Sequence, residues 1–313
     1  ELFRKTLDLD PEHVKVGTVL ADIHFEGGQF AEAGPIYAML TRKVESLDLD
    51  DDGQRDLFLR AAEVSRQLGD QDAALRHFQK AYDIDSTNHD VLTGMAGLLF
   101  KMEDWDRAFK LYQTILVQHR DTQSDDETVR VYHRLGTIKN QQEQPRKALN
   151  YFEKALEVDP HHRATLEAVT DLQAASNDWE GVIQAKRAIA DVAEDGDEQF
   201  AIYGEIGGLY AEKIGNKDKA AEAYLRALDI KPQDYPTLHT LLDLYTSTKR
   251  WEDAIAIIDK IVEVESDGLR RSRYNYTAAV LLRDELNAHD EAIDRLNLVL
   301  DDAPPTFAAS QAI

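Results

Sequence analysis

Three tryptophans, Trp105, Trp179 and Trp251, are the only ones in the chain, and they stand 74 and 72 residues apart. The recurrence extends to their neighbours: Asp104-Trp105-Asp106-Arg107-Ala108, Asp178-Trp179-Glu180-Gly181-Val182 and Arg250-Trp251-Glu252-Asp253-Ala254 share a charge pattern as well as a ring. Midway between them runs a second series, in which Ala74, Ala148, Ala220 and Ala292 follow short polar turns and are again 72 to 74 residues apart. Interleaved, the two series give a basic period of about 34 to 38 residues, the range of solenoids built from helix–turn–helix units. A sequence that repeats on this scale buries its apolar faces between successive units, each stacked on its neighbours.

Two segments carry the pattern most fully. Tyr132-x-x-Leu135-Gly136 is followed by Lys147-Ala148-Leu149-Asn150-Tyr151-Phe152-Glu153-Lys154-Ala155-Leu156-Glu157-Val158-Asp159-Pro160, and Tyr203-x-x-Ile206-Gly207-x-x-Tyr210 by Lys219-Ala220-Ala221-Glu222-Ala223-Tyr224-Leu225-Arg226-Ala227-Leu228-Asp229-Ile230-Lys231-Pro232. Both resemble the tetratricopeptide repeat. Small residues on the facing helices, Gly136 and Gly207 opposite Ala148 and Ala220, let two helices approach to the short end of the usual interaxial range. Phe152, Tyr224, Phe78 and Tyr112 are expected to fill the groove toward the next repeat. Pro160, Pro232 and Pro304 are expected to stop second helices, because proline lacks the amide hydrogen and its ring clashes with the preceding turn.

The resemblance implies an all-α, right-handed superhelical α-solenoid of antiparallel helix pairs, with eight repeats at about 14–47, 55–88, 89–122, 129–162, 163–196, 200–234, 235–268 and 272–306. The fifth departs most, with Val182, Lys186 and Ile189 in place of the small–aromatic–small pattern. The sixth and eighth carry one extra residue before Ala220 and Ala292, which should lengthen the first helix or bulge the turn. Acidic insertions at 48–52, 121–127, 194–198 and 263–267 read as connectors within a single array. Residues 1–11 match the end of a preceding second helix, and 307–313 the opening of a further repeat.

Composition removes several function classes. With no cysteine among 313 residues, disulfides, thiolate metal sites and cysteine nucleophiles are excluded. The 59 acidic residues outnumber the 36 basic ones for a net charge of -23, which repels phosphate backbones and argues against nucleic acid. The bland source of that charge is a solvated surface; the sharper one is attraction of basic partners. No apolar run approaches the length of a membrane span, and no N-terminal signal pattern is visible.

Neither a metalloprotease helix motif, a nucleophile elbow, a P-loop nor a dinucleotide fingerprint occurs. His161 and His162 lack the carboxylate partners of a metal site. Asp48 to Gly53 begins like a calcium loop, but Leu59 stands where the closing glutamate belongs. Gly207-Gly208 falls within a first helix, where close helix contact explains it. The tryptophans read as packing at the turns. No cofactor and no metal are expected.

In tetratricopeptide arrays the first helices line the concave face, and projecting these helices puts Arg60, Arg66, Lys101, Arg130, His133 and Arg134 on that face in the second to fourth repeats. Glu167, Asp171, Glu205 and Asp243 occupy it in the fifth to seventh. Arg130 and Arg134, four apart, are spaced to hold a carboxylate, with pairing to acids such as Glu63 and Asp90 as the competing outcome. Co-chaperone arrays that grip a C-terminal carboxylate need Lys and Asn at earlier positions, where this chain has Leu59, Glu63 and Gly94; such a clamp is incomplete here. The implied function is a non-catalytic protein-interaction scaffold whose partner is a protein or peptide. The alternatives are a regulatory arm of a larger enzyme (kinase, glycosyltransferase or protease) and a structural subunit of an envelope or secretion assembly.

Overall fold

The computed structural model describes residues 2–119 and 122–302. Among them are helices and no strand: Leu2–Leu9 (α1), Val14–Glu26 (α2), Phe30–Arg42 (α3), Asp51–Gln67 (α4), Gln71–Ile84 (α5), His89–Lys101 (α6), Trp105–Gln118 (α7), Asp125–Gln141 (α8), Pro145–Val158 (α9), Arg163–Ala175 (α10), Trp179–Val192 (α11), Gly196–Gly208 (α12), Lys217–Ile230 (α13), Tyr235–Ser247 (α14), Trp251–Val264 (α15), Gly268–Asp284 (α16) and His289–Asp302 (α17). They gather into two compact units, Glu1–Thr165 and Leu166–Ile313. In the first, α2 packs on α3, α4 on α5, α6 on α7 and α8 on α9; in the second, α12 packs on α13, α14 on α15 and α16 on α17. Pro304 and the segment 307–313 lie outside the described residues.

Each turn between paired helices bends on one residue in the left-handed region: Gly28, Gly69, Glu103, Glu143, Asn177, Gly215, Lys249 and Asn287. The next amide then reaches back five residues, as Asp70 N to Ser65 O (2.9 Å), Asp104 N to Leu99 O (3.0 Å), Gln144 N to Lys139 O (2.9 Å) and Arg250 N to Tyr245 O (2.9 Å). This is the Schellman closure, which satisfies the last carbonyls of the first helix. At the two turns with an extra residue the reach is six: Asn216 N to Tyr210 O and Ala288 N to Leu282 O, both 2.8 Å. Ahead of Ala220 the extra residue is absorbed by a π-helical turn, Leu209–Ile214.

The tryptophans open α7, α11 and α15 and are half-buried. Trp105 lies edge-on to Phe100 with centroids 5.3 Å apart. Acidic connectors supply helix caps: Asp50 accepts from Gly53 N, Asp195 from Asp197 N and Asp267 from Arg270 N. Ser124 and Glu127 form a reciprocal capping box. Side chains of this type at an N-cap satisfy amides that have no partner in the helix. The calcium-like run at 48–53 is thus a helix start.

The small residues make room for rings. A Cβ on Gly136 would lie 2.5 Å from the Phe152 ring, and one on Gly207 would lie 2.7 Å from that of Tyr224. Ala148 and Ala220 are fully buried, yet it is the aromatic four residues later that fills the space over each glycine, since helical side chains lean back toward the preceding turn. Phe152 and Tyr224 therefore pack over the glycines of their own hairpins, and Tyr224 also packs against the buried cluster that holds Leu238, Leu241 and Tyr245 of the next repeat. Phe78 reaches forward, against Gly94 of α6, where a Cβ would sit 2.5 Å away.

Gly136→Ala should cost about 1–3 kcal/mol through overpacking, and Phe152→Leu should recover part of that loss in the double variant, read from urea midpoints. Opposite in sign, Glu143→Gly or Lys249→Gly should stabilise by roughly 0.5–1 kcal/mol, because a left-handed non-glycine residue costs about 1–2 kcal/mol and glycine's extra freedom in the unfolded chain returns only part of that.

Candidate interaction surface

Within residues 1–165, the first helices α6 and α8 lie on either side of a cavity of about 310 Å³ lined by His89, Thr93, Gly97, Tyr112, Gln123, Glu127, Arg130, Val131 and Arg134. Three local features shape it. Asn88 caps α6 and so fixes His89, whose ring meets that of His119 with centroids 4.8 Å apart. The capping box of α8 holds Glu127, whose Oε1 lies 3.9 Å from His89 Nε2. Gly97 leaves open space above its Cα.

Polar groups in this cavity are under-satisfied. Among the described residues, five buried side-chain polar atoms lack a hydrogen-bond partner, and three of them, His89 Nδ1 and both Gln123 amide atoms, belong here. Buried polar groups are ordinarily paired, so their concentration marks this cavity as the place where an outside group would be accommodated. Arg134 lies 4.3 Å over the Phe100 ring, a contact that steadies the guanidinium and leaves its N–H edges free. Arg130 has one partner, Asp126 at 3.3 Å, with both side chains more than half exposed; such a pair contributes little and exchanges readily. The cavity thus joins two guanidinium donors to an apolar wall of Tyr112 and Val131.

The other residues singled out from the sequence go elsewhere. Arg60 is engaged by Asp22 at 2.5 Å, whose carboxylate also accepts from Tyr37 Oη at 2.9 Å, so this arginine ties α4 to α2. Arg66 forks onto Glu63 at 2.8 and 2.6 Å. Lys101 is exposed at the end of α6. His133 turns to another seam, where its Nδ1 lies 3.0 Å from Thr165 Oγ1 and shares that hydroxyl with His162 Nδ1 at 2.7 Å. Only Arg130 and Arg134 share a cavity. Sequence reasoning missed His89 and Gln123; the first is the opening residue of α6, and the second sits in a connector that the helix projection did not cover.

Tetratricopeptide repeat models match residues 56–88, 89–161 and 200–234. The chain is a tetratricopeptide repeat protein. Proteins of this family generally mediate protein–protein interaction and are typically non-catalytic scaffolds. This tetratricopeptide repeat protein is 29% identical over 110 residues to the type IV pilus assembly protein PilF of Pseudomonas aeruginosa, a match spanning 35% of this chain and 40% of PilF. A solved structure of P. aeruginosa PilF aligns over 75% of this chain and 98% of its own at 20% identity, TM-score 0.45. The Naa15/Naa10 structure with HypK aligns over 98% of this chain and 44% of its own at 18% identity, TM-score 0.51, a likeness of fold. Among the described residues no helix is long and apolar enough to cross a membrane, and no three His, Asp or Glu gather as metal ligands.

Burial, then the neighbouring His162 and Arg134, push the His133 imidazole down from 6.5 to about 4. The folded protein holds it neutral while the unfolded chain protonates it, so its contribution to stability is complete above pH 6.5 and falls away as the pH drops toward 4. Urea midpoints measured from pH 7.5 to 4.5 should decline less steeply in His133→Gln than in the wild type.

Proposed function

We propose that this protein is a non-catalytic scaffold that holds an extended, carboxylate-bearing segment of a partner protein against its first helices, with the α6/α8 cavity as the principal seat in residues 1–165. The observation that carries the reading is the convergence of Arg130 and Arg134 with three unpartnered polar atoms in one cavity. A guanidinium held against an aromatic ring donates to a carboxylate with its donors already oriented. Thr93 and Gln123 add groups that match a peptide backbone, and Tyr112 and Val131 offer an apolar wall for a side chain. Because the face is pre-formed by helix packing, binding avoids most of the ordering cost that a flexible receptor incurs.

A second reading, a component of an envelope or secretion assembly, draws on the similarity to PilF, whose name places it in type IV pilus assembly. The two readings differ in who the partner is, and one measurement addresses both. Affinity capture with the wild type and with Arg130→Glu/Arg134→Glu should show specific proteins lost from the variant by at least about tenfold; envelope components among them support the second reading. Capture that is indifferent to the double charge reversal would overturn the assignment of the α6/α8 cavity.

A further inference from the structure

The doubled repeat places a related groove in residues 166–313. His89 opens α6 and Tyr235 opens α14, while α8 and α16 are both 17 residues long. Counted from their first residues, Arg130 and Arg273 both stand sixth, Val131 and Tyr274 seventh, and Arg134 and Thr277 tenth. Tyr235, Arg270, Arg273, Tyr274 and Thr277 line a cavity of about 340 Å³, more room than a single small ion occupies.

Its aromatic wall is held in place by internal hydrogen bonds. Tyr235 Oη donates to Glu265 Oε2 at 3.1 Å and lies 3.0 Å from Tyr274 Oη, which in turn lies 3.0 Å from His239 Nε2. With their hydroxyls engaged in this chain, the two tyrosines present ring surface. The arginines are the opposite. Arg273 is exposed and makes no ion pair with any described residue. Arg270 is 63% exposed and meets Glu265 only at 3.6 Å, and that carboxylate already accepts from Asp267 N and Tyr235 Oη.

The charge at this helix end also runs against the dipole, although Arg271 is tied down by donating to Glu265 O and Ser266 O, both at 3.2 Å. Arg270, Arg271 and Arg273 crowd the amino-terminal end of α16, the positive pole of the helix dipole, where the corresponding ends of α4, α8 and α12 carry Asp51 and Asp52, Asp125, Asp126 and Glu127, and Asp197 and Glu198. In a chain with 59 acids and 36 bases, a cationic patch retained against the dipole is complementary to an anionic partner. Nucleic acid is disfavoured by the net charge of -23.

We infer that the α14/α16 groove is a second binding site, for an extended acidic polypeptide segment whose carboxylates pair with Arg270 and Arg273 and whose intervening apolar side chain lies on Tyr235 and Tyr274. The inference shares with the proposed function the premise that first helices form the docking face, and it is independent of the α6/α8 cavity.

Titration calorimetry on the full chain at low salt tests it, with a dodecapeptide of alternating glutamate and leucine, blocked at both ends so that no terminal carboxylate takes part. The wild type should bind two peptides per chain. Arg270→Glu/Arg273→Glu and Arg130→Glu/Arg134→Glu should each bind one. Adding Arg273→Gln, a milder change at an exposed position, to the Arg130→Glu/Arg134→Glu protein should weaken the remaining event by about tenfold, with circular dichroism unchanged. If Arg270→Glu/Arg273→Glu behaves as the wild type while Arg130→Glu/Arg134→Glu loses all binding, the second site is overturned and the first stands. If the losses are reversed, the α6/α8 assignment falls and this one stands. Absence of binding to every protein overturns both.

Discussion

The left-handed residue that ends each first helix is the constraint on which the other features rest. It lets the chain reverse direction within two or three residues, so the second helix has no freedom to pack anywhere but on the first. Once the helices are forced together, side-chain volume at the crossing must be small on one of them. Gly136 and Gly207 answer that need, and the rings of Phe152 and Tyr224 fill what they leave. Five of the eight reversals use Glu, Asn or Lys in a conformation that suits glycine better. The strain is tolerated because the five-residue back-bond and the buried contacts behind it over-determine the turn.

The same geometry accounts for much of the chain's acidity. A hairpin repeat creates a helix start about every 17 residues, and each start exposes amides without partners. Asp50, Asp70, Asp104, Asp178, Asp195, Asp234 and Asp267 accept from such amides. Others follow in the first turns, where the dipole favours them. Negative charge here is in large part capping chemistry multiplied by the number of helices, which is why a face carrying exposed arginines stands out against it.

Most of the architecture was legible in the sequence because it is periodic. The tryptophans mark the starts of second helices, the alanines mark the buried crossing, and the extra residue before Ala220 correctly signals an irregular turn. That the rings of Phe152 and Tyr224 also cover Gly136 and Gly207 was not legible, since spacing along a helix does not show how far a ring leans toward the preceding turn. The interaction surface was less legible still. Projection onto a helix face separates inward from outward positions, yet it cannot tell that Arg60 meets Asp22 of another helix, that His133 turns toward Thr165, or that Gln123 of a connector enters a cavity. Those facts depend on contacts between residues about 30 to 40 apart.

The π-helical turn at Leu209–Ile214 has a consequence for how such a chain can change. By widening one turn it takes up a whole residue while Gly207 still meets Tyr224 and Gly215 still starts the reversal. Insertions at this point are thereby quarantined: the hydrogen-bond ladder slips locally, and the phase of everything beyond is preserved. A lineage built on this hairpin can let unit length drift by single residues without renegotiating the contacts between neighbours.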